Sequence, residues 1–180
     1  MRVITGKARG RRLETLEGTD VRPTTDKVKE AVFSSIQFDI EGRRVLDLFA
    51  GSGQLGIEAL SRGAESAVFV DLNPEAVAVI NRNIKATGFE SRAKVIRADY
   101  FSFAASASDK FNIAFLDPPY KAGLLEKALN TVTGIMSENG IIICEHPADV
   151  ALPEAAGIFT LSRRAKYGKI SVSIYKKGCE

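Results

Sequence analysis

The sequence predicts an α/β domain built on a mostly parallel sheet that ends in an antiparallel hairpin. Three observations lead there. Between residues 43 and 145, short β-branched apolar segments alternate with helical ones, the pattern of right-handed βαβ crossovers. A glycine-rich loop, Gly51-Ser52-Gly53-Gln54-Leu55-Gly56, follows the first strand-like segment and opens the first of those helices. Near the end of the chain, only Lys166 to Lys169 separates two strand-like segments, too little for a helical crossover and enough for a hairpin.

Each element has a local reason. Residues 44–49 and 67–71 are apolar runs bounded by turn signals, hence buried strands. Gly53 to Gly63 reads as a helix with Leu55, Ala59 and Leu60 on one face. Asn73-Pro74 starts the next, with proline where its missing N–H costs nothing. Ala76, Val79, Ile80, Asn83 and Ile84 form that helix's face, and Gly88 ends it. Residues 93–97 and 111–116 read as the third and fourth strands and 122–136 as a helix. Glu138-Asn139-Gly140 reads as a turn, 140–145 as the fifth strand, and 159–163 and 170–175 as the closing hairpin. Residues 1–41 read as a small β element and a helix over 25–36, an extension packed on the main domain of residues 42–180. Thr24-Thr25-Asp26 supplies that helix's cap.

Composition narrows the class. With 45% hydrophobic and 26% charged residues over 180 positions, the chain is an ordinary globular domain rather than a disordered one. No apolar run approaches the roughly 20 residues that span a bilayer; the longest candidate is Ile141-Ile142-Ile143-Cys144. The first residues carry no apolar signal region. Cys144 and Cys179 lack metal-ligand spacing and read as a core thiol and a tail thiol in a reducing compartment, so the expectation is a cytoplasmic protein without metal or membrane. Charge is segregated. Residues 1–29 carry net +4, residues 163–180 net +5 and the middle net −6, which suggests a polyanionic partner at the two ends.

The glycine loop has the context that makes it a ligand site. Gly51, Gly53 and Gly56 match G-x-G-x-x-G, and Asp71 follows Gly51 by twenty residues at the end of the second strand. Glycines let a ligand approach the backbone, the helix start offers free N–H groups, and Asp71 can accept from two ribose hydroxyls. A nicotinamide dinucleotide and S-adenosylmethionine both satisfy this pattern. Asp47 helps to separate them, because a carboxylate four residues before Gly51 repels a pyrophosphate and attracts an ammonium. Asp99, after the third strand, either accepts from an adenine amine or caps a short helix over 100–105.

The fourth strand ends in Asp117-Pro118-Pro119-Tyr120. The prolines stiffen the turn and remove two donors, leaving the Asp117 carboxylate and the Pro118 carbonyl as acceptors beside an aromatic ring. An exocyclic amine on a nucleobase is a poor nucleophile because its lone pair is delocalised. Accepting its hydrogens frees that pair and stabilises the cation that develops during methyl transfer. Tyr120 can stack on the base and align it.

These residues resemble a known family. Asp117-Pro118-Pro119-Tyr120 is similar to the signature of methyltransferases acting on exocyclic amines of nucleobases. Residues 1–13, Arg22 to Phe33 and Val45 to Gly53, in that order, with Tyr167-Gly168 in the last hairpin, resemble the bacterial 16S ribosomal RNA guanine-N2 methyltransferases. The resemblance implies a Rossmann-like class I methyltransferase with seven strands, helices on both faces and a small RNA-facing N-terminal extension. It implies transfer of a methyl group from S-adenosyl-L-methionine to the N2 amine of one guanine in 16S rRNA of the assembling or assembled small subunit. A monomer suits access to so large a particle. By position it places Asp47, Ala50, Gly51, Ser52, Gly53, Asp71, Leu72, Asp99 and Tyr100 against the cofactor, and Asp117, Pro118, Pro119 and Tyr120 at the reacting amine. It assigns Arg9, Arg11, Arg12, Arg22 and Lys27 to RNA phosphates. Gln54 departs from the resemblance, standing where a small residue is usual. His146, the single histidine, is read as structural because this chemistry needs no histidine base. The residues alone leave open a DNA adenine-N6 methyltransferase, a nicotinamide-dependent oxidoreductase and a non-catalytic RNA-binding protein.

Overall fold

The computed structural model describes residues 1–16, 25–119 and 123–178. Helix α1 (Asp26–Ser35) precedes an alternating series: β1 (Arg44–Leu48), α2 (Gln54–Ser61), β2 (Ser66–Asp71), α3 (Pro74–Thr87), β3 (Ala93–Arg97), α4 (Tyr100–Ser106), β4 (Phe111–Leu116), α5 (Leu124–Val132) and β5 (Met136–Pro147). β6 (Ala155–Ala156), β7 (Phe159–Tyr167) and β8 (Ile170–Lys177) follow. The sheet order is β3-β2-β1-β4-β5-β8-β7-β6, parallel through β5 and antiparallel from β8 onward.

The sheet therefore has eight strands where the resemblance implies seven. The extra one is two residues long. Its chain turns back at Gly157-Ile158, with Gly157 at φ 57°, and pairs Ala155 and Ala156 with the start of β7. Two alanines carry no alternation that a sequence reading can detect. A second difference lies in β5. Glu138-Asn139-Gly140, read as a turn, falls inside the strand. The register against β4 shifts between Phe111 and Ile113, and the Asn112 side-chain Nδ2 donates to the Ser137 hydroxyl at 3.1 Å across that irregularity. Gly140 is needed there, because a Cβ would stand 2.8 Å from the Ser137 carbonyl oxygen. The helix read over 122–136 is shorter; α5 ends at Val132 and passes into one 3₁₀ turn, Thr133–Ile135. Ala122 lies outside the described residues.

Period-two burial explains the layers. Val45, Phe69, Ile113, Phe115, Ile141 and Ile143 join one core with residues of α1, α2 and α3. Leu46, Val70, Ala114, Leu116 and Ile142 join the other with α4 and α5. Helices thus cover both faces. The extension is part of the first core through Val3, Ala8, Leu13, Val28, Val32 and Phe33. It covers the outer side of α2 so fully that all eight residues of that helix are buried.

The polar residues of α2 are satisfied by this cover. Glu58 accepts from the Ile4 and Thr5 amides at 2.8 and 3.0 Å. The Ser61 hydroxyl accepts from the Ala8 amide and donates to the Thr5 carbonyl. Gly6, at φ 87°, lets the turn lie against the end of the helix, since a Cβ there would sit 1.9 Å from the Ser61 carbonyl oxygen. The strand order reverses between β1 and β4, so the crevice above their carboxyl ends is where an open sheet of this kind binds its ligand.

Candidate active site

The loop after β1 is shaped by backbone constraints. Phe49 takes φ 68°, the one positive φ outside glycine among the described residues, a strained geometry that clusters at functional sites. The Phe49 and Ala50 amides both donate to the Val70 carbonyl at 3.0 Å, tying the loop to the end of β2. Gly51 and Gly53 follow with φ 56° and 76°. Gly56 has another role: a Cβ would stand 2.3 Å from the Phe69 ring, so its absence lets α2 lie close on β2.

Asp71 sits at the end of β2 with both oxygens oriented. Oδ2 accepts from the Gly51 amide and Oδ1 from the Asn73 amide, each at 2.9 Å. Asp99 caps α4, accepting from the Phe101 and Ser102 amides at 3.1 and 2.9 Å. Those bonds, that to Ser102 foremost, hold its carboxyl below the ordinary range. Asp117 follows the last paired residue of β4.

Above the switch point lies a cavity of about 540 Å³, within the roughly 300–1,000 Å³ typical of small-molecule sites. Of the residues named from the sequence, Gly51, Asp71, Leu72, Asp99, Tyr100, Asp117, Pro118 and Pro119 line it. The two halves of the expected site, glycine loop and Asp-Pro-Pro corner, thus share one cavity. Asp47, Ala50, Ser52 and Gly53 do not line it. Asp47 is buried and its Oδ2 accepts from the Gly56 amide at 2.9 Å, so it braces the loop from behind. Burial pushes its pKa up to about 7, against the lowering effect of the Gly56 hydrogen bond and with a smaller push from Asp71. Tyr120 and Arg22 lie outside the described residues.

Sequence reasoning missed several walls. Leu48, Phe49, Val70, Ala76, Ala98 and Leu124 are apolar lining with no chemical signature. Leu16, from the extension, had no signal at all. Phe49 packs against Tyr100 with ring centroids 5.8 Å apart. Glu145 is not among the cavity's lining residues. It is buried on β5, one step beyond the Leu116–Cys144 pair and so beside Asp117 in register.

Outside the cavity, Arg9, Arg11, Arg12 and Lys27 are exposed, and none has a carboxylate within ion-pair distance among the described residues. The Thr25 hydroxyl caps α1, accepting from the Val28 amide at 3.3 Å. His146 is buried at the end of β5. Its Nδ1 donates to the Pro147 carbonyl at 2.9 Å, leaving Nε2 to accept from the Ser173 hydroxyl at 2.8 Å. Burial holds its pKa below the usual value, favouring that neutral ring.

A Rossmann-like sheet with a reversed hairpin and an acidic, glycine-rimmed cavity at its switch point defines the methyltransferase fold. The chain belongs to the family described as Conserved hypothetical protein 95, which matches residues 1–176. It is 44% identical to YlbH of Bacillus subtilis (strain 168), a provisionally assigned rRNA methyltransferase, over 98% of this chain and 99% of that one. It is 34% identical to ribosomal RNA small subunit methyltransferase D of Escherichia coli (strain K12), over 98% and 90% of the two chains. Among solved structures, the provisionally assigned methyltransferase yhhF from Escherichia coli matches with TM-score 0.88 and 33% identity, covering 100% of this chain and 99% of that one.

Proposed function

We propose that the protein transfers a methyl group from S-adenosyl-L-methionine to the N2 amine of a guanine in 16S rRNA, in the assembling or assembled small subunit. The observation that carries this reading is the single cavity that holds both Asp71 with Gly51 and the Asp117-Pro118-Pro119 corner. The residues fit the donor. The Asp71 carboxylate, fixed by two amides, keeps lone pairs for ribose hydroxyls. Leu72 lines the cavity with 62% of its surface exposed, apolar area that a bound ligand would cover. When bound, S-adenosylmethionine supplies an electrophilic methyl group on a sulfonium.

The chain's own residues then do three things. Asp117 and the Pro118 carbonyl would accept the amine hydrogens and free the nitrogen pair for the methyl group that the bound donor would supply, the donor leaving as the neutral sulfide. Asp117 holds or passes on the proton the nitrogen gives up. The apolar walls exclude water and strengthen these interactions. Arg9, Arg11, Arg12, Arg22 and Lys27 would contact phosphates of an RNA whose target base is looped out or flipped. The extension of residues 1–41 is thereby the RNA-facing part, acting as a monomer on a large particle in the cytoplasm.

Asp117→Ala tests the corner. S-adenosylmethionine affinity by calorimetry is expected to stay near normal while the rate falls roughly 10²–10³-fold. Label from methyl-labelled donor should enter small ribosomal subunits and, after digestion, run as N2-methylguanosine. Incorporation into duplex DNA alone, or a near-normal rate for the variant, would overturn the reading.

A further inference from the structure

Asn83 occupies a position that an apolar side chain would fill. It lies on the buried face of α3 with Ala76, Val79, Ile80 and Ile84, and is 1% exposed. Burying an amide there is costly unless its donors and acceptor are used, and they are. Oδ1 accepts from the Glu14 amide at 2.8 Å, while Nδ2 donates to the Glu14 carbonyl at 3.0 Å and the Ser52 carbonyl at 2.9 Å. One side chain thus grips both backbone groups of Glu14 and ties them to the glycine loop.

Two residues on, Leu16 lines the cavity. A span of two residues reaches at most about 7 Å, so fixing Glu14 confines Leu16 to the cavity rim. The other tie on Glu14, its ion pair with Arg82 at 2.8 Å, is more than half exposed on both sides, and such pairs hold weakly.

We infer that Leu16 is a built wall of the methyl-donor cavity, and that Asn83, which is not among that cavity's lining residues, is the positioning residue that holds it through Glu14. Residues 4–8 are pinned separately, by Glu58 and Ser61, so losing Asn83 frees the wall without undocking the rest of the extension. The inference rests on S-adenosylmethionine as the ligand, and is independent of which base is methylated.

The test is calorimetric titration of the full chain with S-adenosylmethionine, with melting followed in parallel. Asn83→Ala removes all three hydrogen bonds, two of them on Glu14, and is expected to weaken binding about tenfold or more. Asn83→Asp turns a carboxylate oxygen toward the Glu14 and Ser52 carbonyls in place of the donors, and should weaken binding at least as much. Leu16→Ala alters only the wall and should weaken binding several-fold with an unchanged melting temperature. An Asn83 that serves packing alone would lower the melting temperature and leave both affinities at the wild-type value. Unchanged affinity in Leu16→Ala overturns the inference even if Asn83→Ala fails to fold. A wild-type chain that binds no S-adenosylmethionine overturns the donor reading, and this inference with it.

Discussion

Asp47 makes a stability prediction whose sign can be worked out. Its carboxyl is buried against the Gly56 amide, and burial raises its pKa from the ordinary 3.8 to about 7. Between those two values the folded chain holds a proton that the unfolded chain has released. Unfolding then releases a proton, so raising the pH favours the unfolded state. The contribution is full below about pH 4, is lost as pH rises, and levels off above the folded value. At about 1.4 kcal/mol per pH unit the whole span amounts to about 4 kcal/mol. Asp47→Asn keeps an oxygen for the Gly56 amide and removes the titration. Its own cost, an extra buried N–H₂ to satisfy, does not vary with pH.

The assay is urea unfolding of both chains at a series of pH values from 4 to 8. Other titrating groups are common to the two chains and cancel in the difference. The stability of Asp47→Asn minus that of wild type is expected to climb by about 1.4 kcal/mol per pH unit through the middle of the range, then flatten above about pH 7. A difference that stays flat from pH 4 to 8 would refute the reasoning, because it would put the folded pKa at or below the ordinary value, with the Gly56 hydrogen bond offsetting burial.

Two further outcomes follow from the geometry. Gly56→Ala places a Cβ 2.3 Å from the Phe69 ring and should cost about 1–3 kcal/mol, read as a lower melting temperature; an unchanged value would show that α2 can lift off β2 freely. Replacing Arg9, Arg11 and Arg12 by serine should weaken binding to small-subunit rRNA and flatten its salt dependence, by up to about one unit of logarithmic slope for each phosphate no longer neutralised. An unaltered slope would place the RNA elsewhere.

The parallel core was legible because it obeys one rule. β3 and β4 run where expected, residues 93–97 and 111–116, since each is a short run rich in β-branched or aromatic residues and bounded by turn residues. The site was legible where chemistry demands particular side chains: Asp71, Asp99 and Asp117 all reach the cavity. What escaped were the contacts that the extension makes with the site and with α2. Leu16 has no motif, and Asn83 reads as one polar interruption of an apolar helix face. Glu58 on α2, which no motif singles out, is a core residue because residues 4–8 fold over it. Asp47 was read as facing the ligand because it precedes the loop; the strand's pleat turns it toward the Gly56 amide instead.

Glu58 also explains why the chain tolerates a buried ion pair. Glu58 and Lys29 are both fully buried, with Nζ and Oε2 3.6 Å apart. Burial lowers the lysine pKa, and the nearby Glu58 carboxylate opposes that shift. Such pairs seldom stabilise more than well-packed apolar residues, so stability alone is a poor reason for this one. The backbone supplies a better reason. Residues 1–16 have only one isolated bridge, Arg2 with Arg12, and belong to no strand of the sheet. Their inward amides and carbonyls need partners from elsewhere. Glu58 accepts from two amides and from Arg62, and Lys29 donates to the Arg2 carbonyl at 2.6 Å. Arg62 in turn lies over the Phe33 ring at 4.7 Å, joining α1 to the same cluster. An apolar pair would fill the volume and leave those backbone groups unpaired. The ion pair therefore specifies one docked position for the extension, and with it the places of the exposed arginines and of Leu16 relative to the glycine loop from which α2 begins.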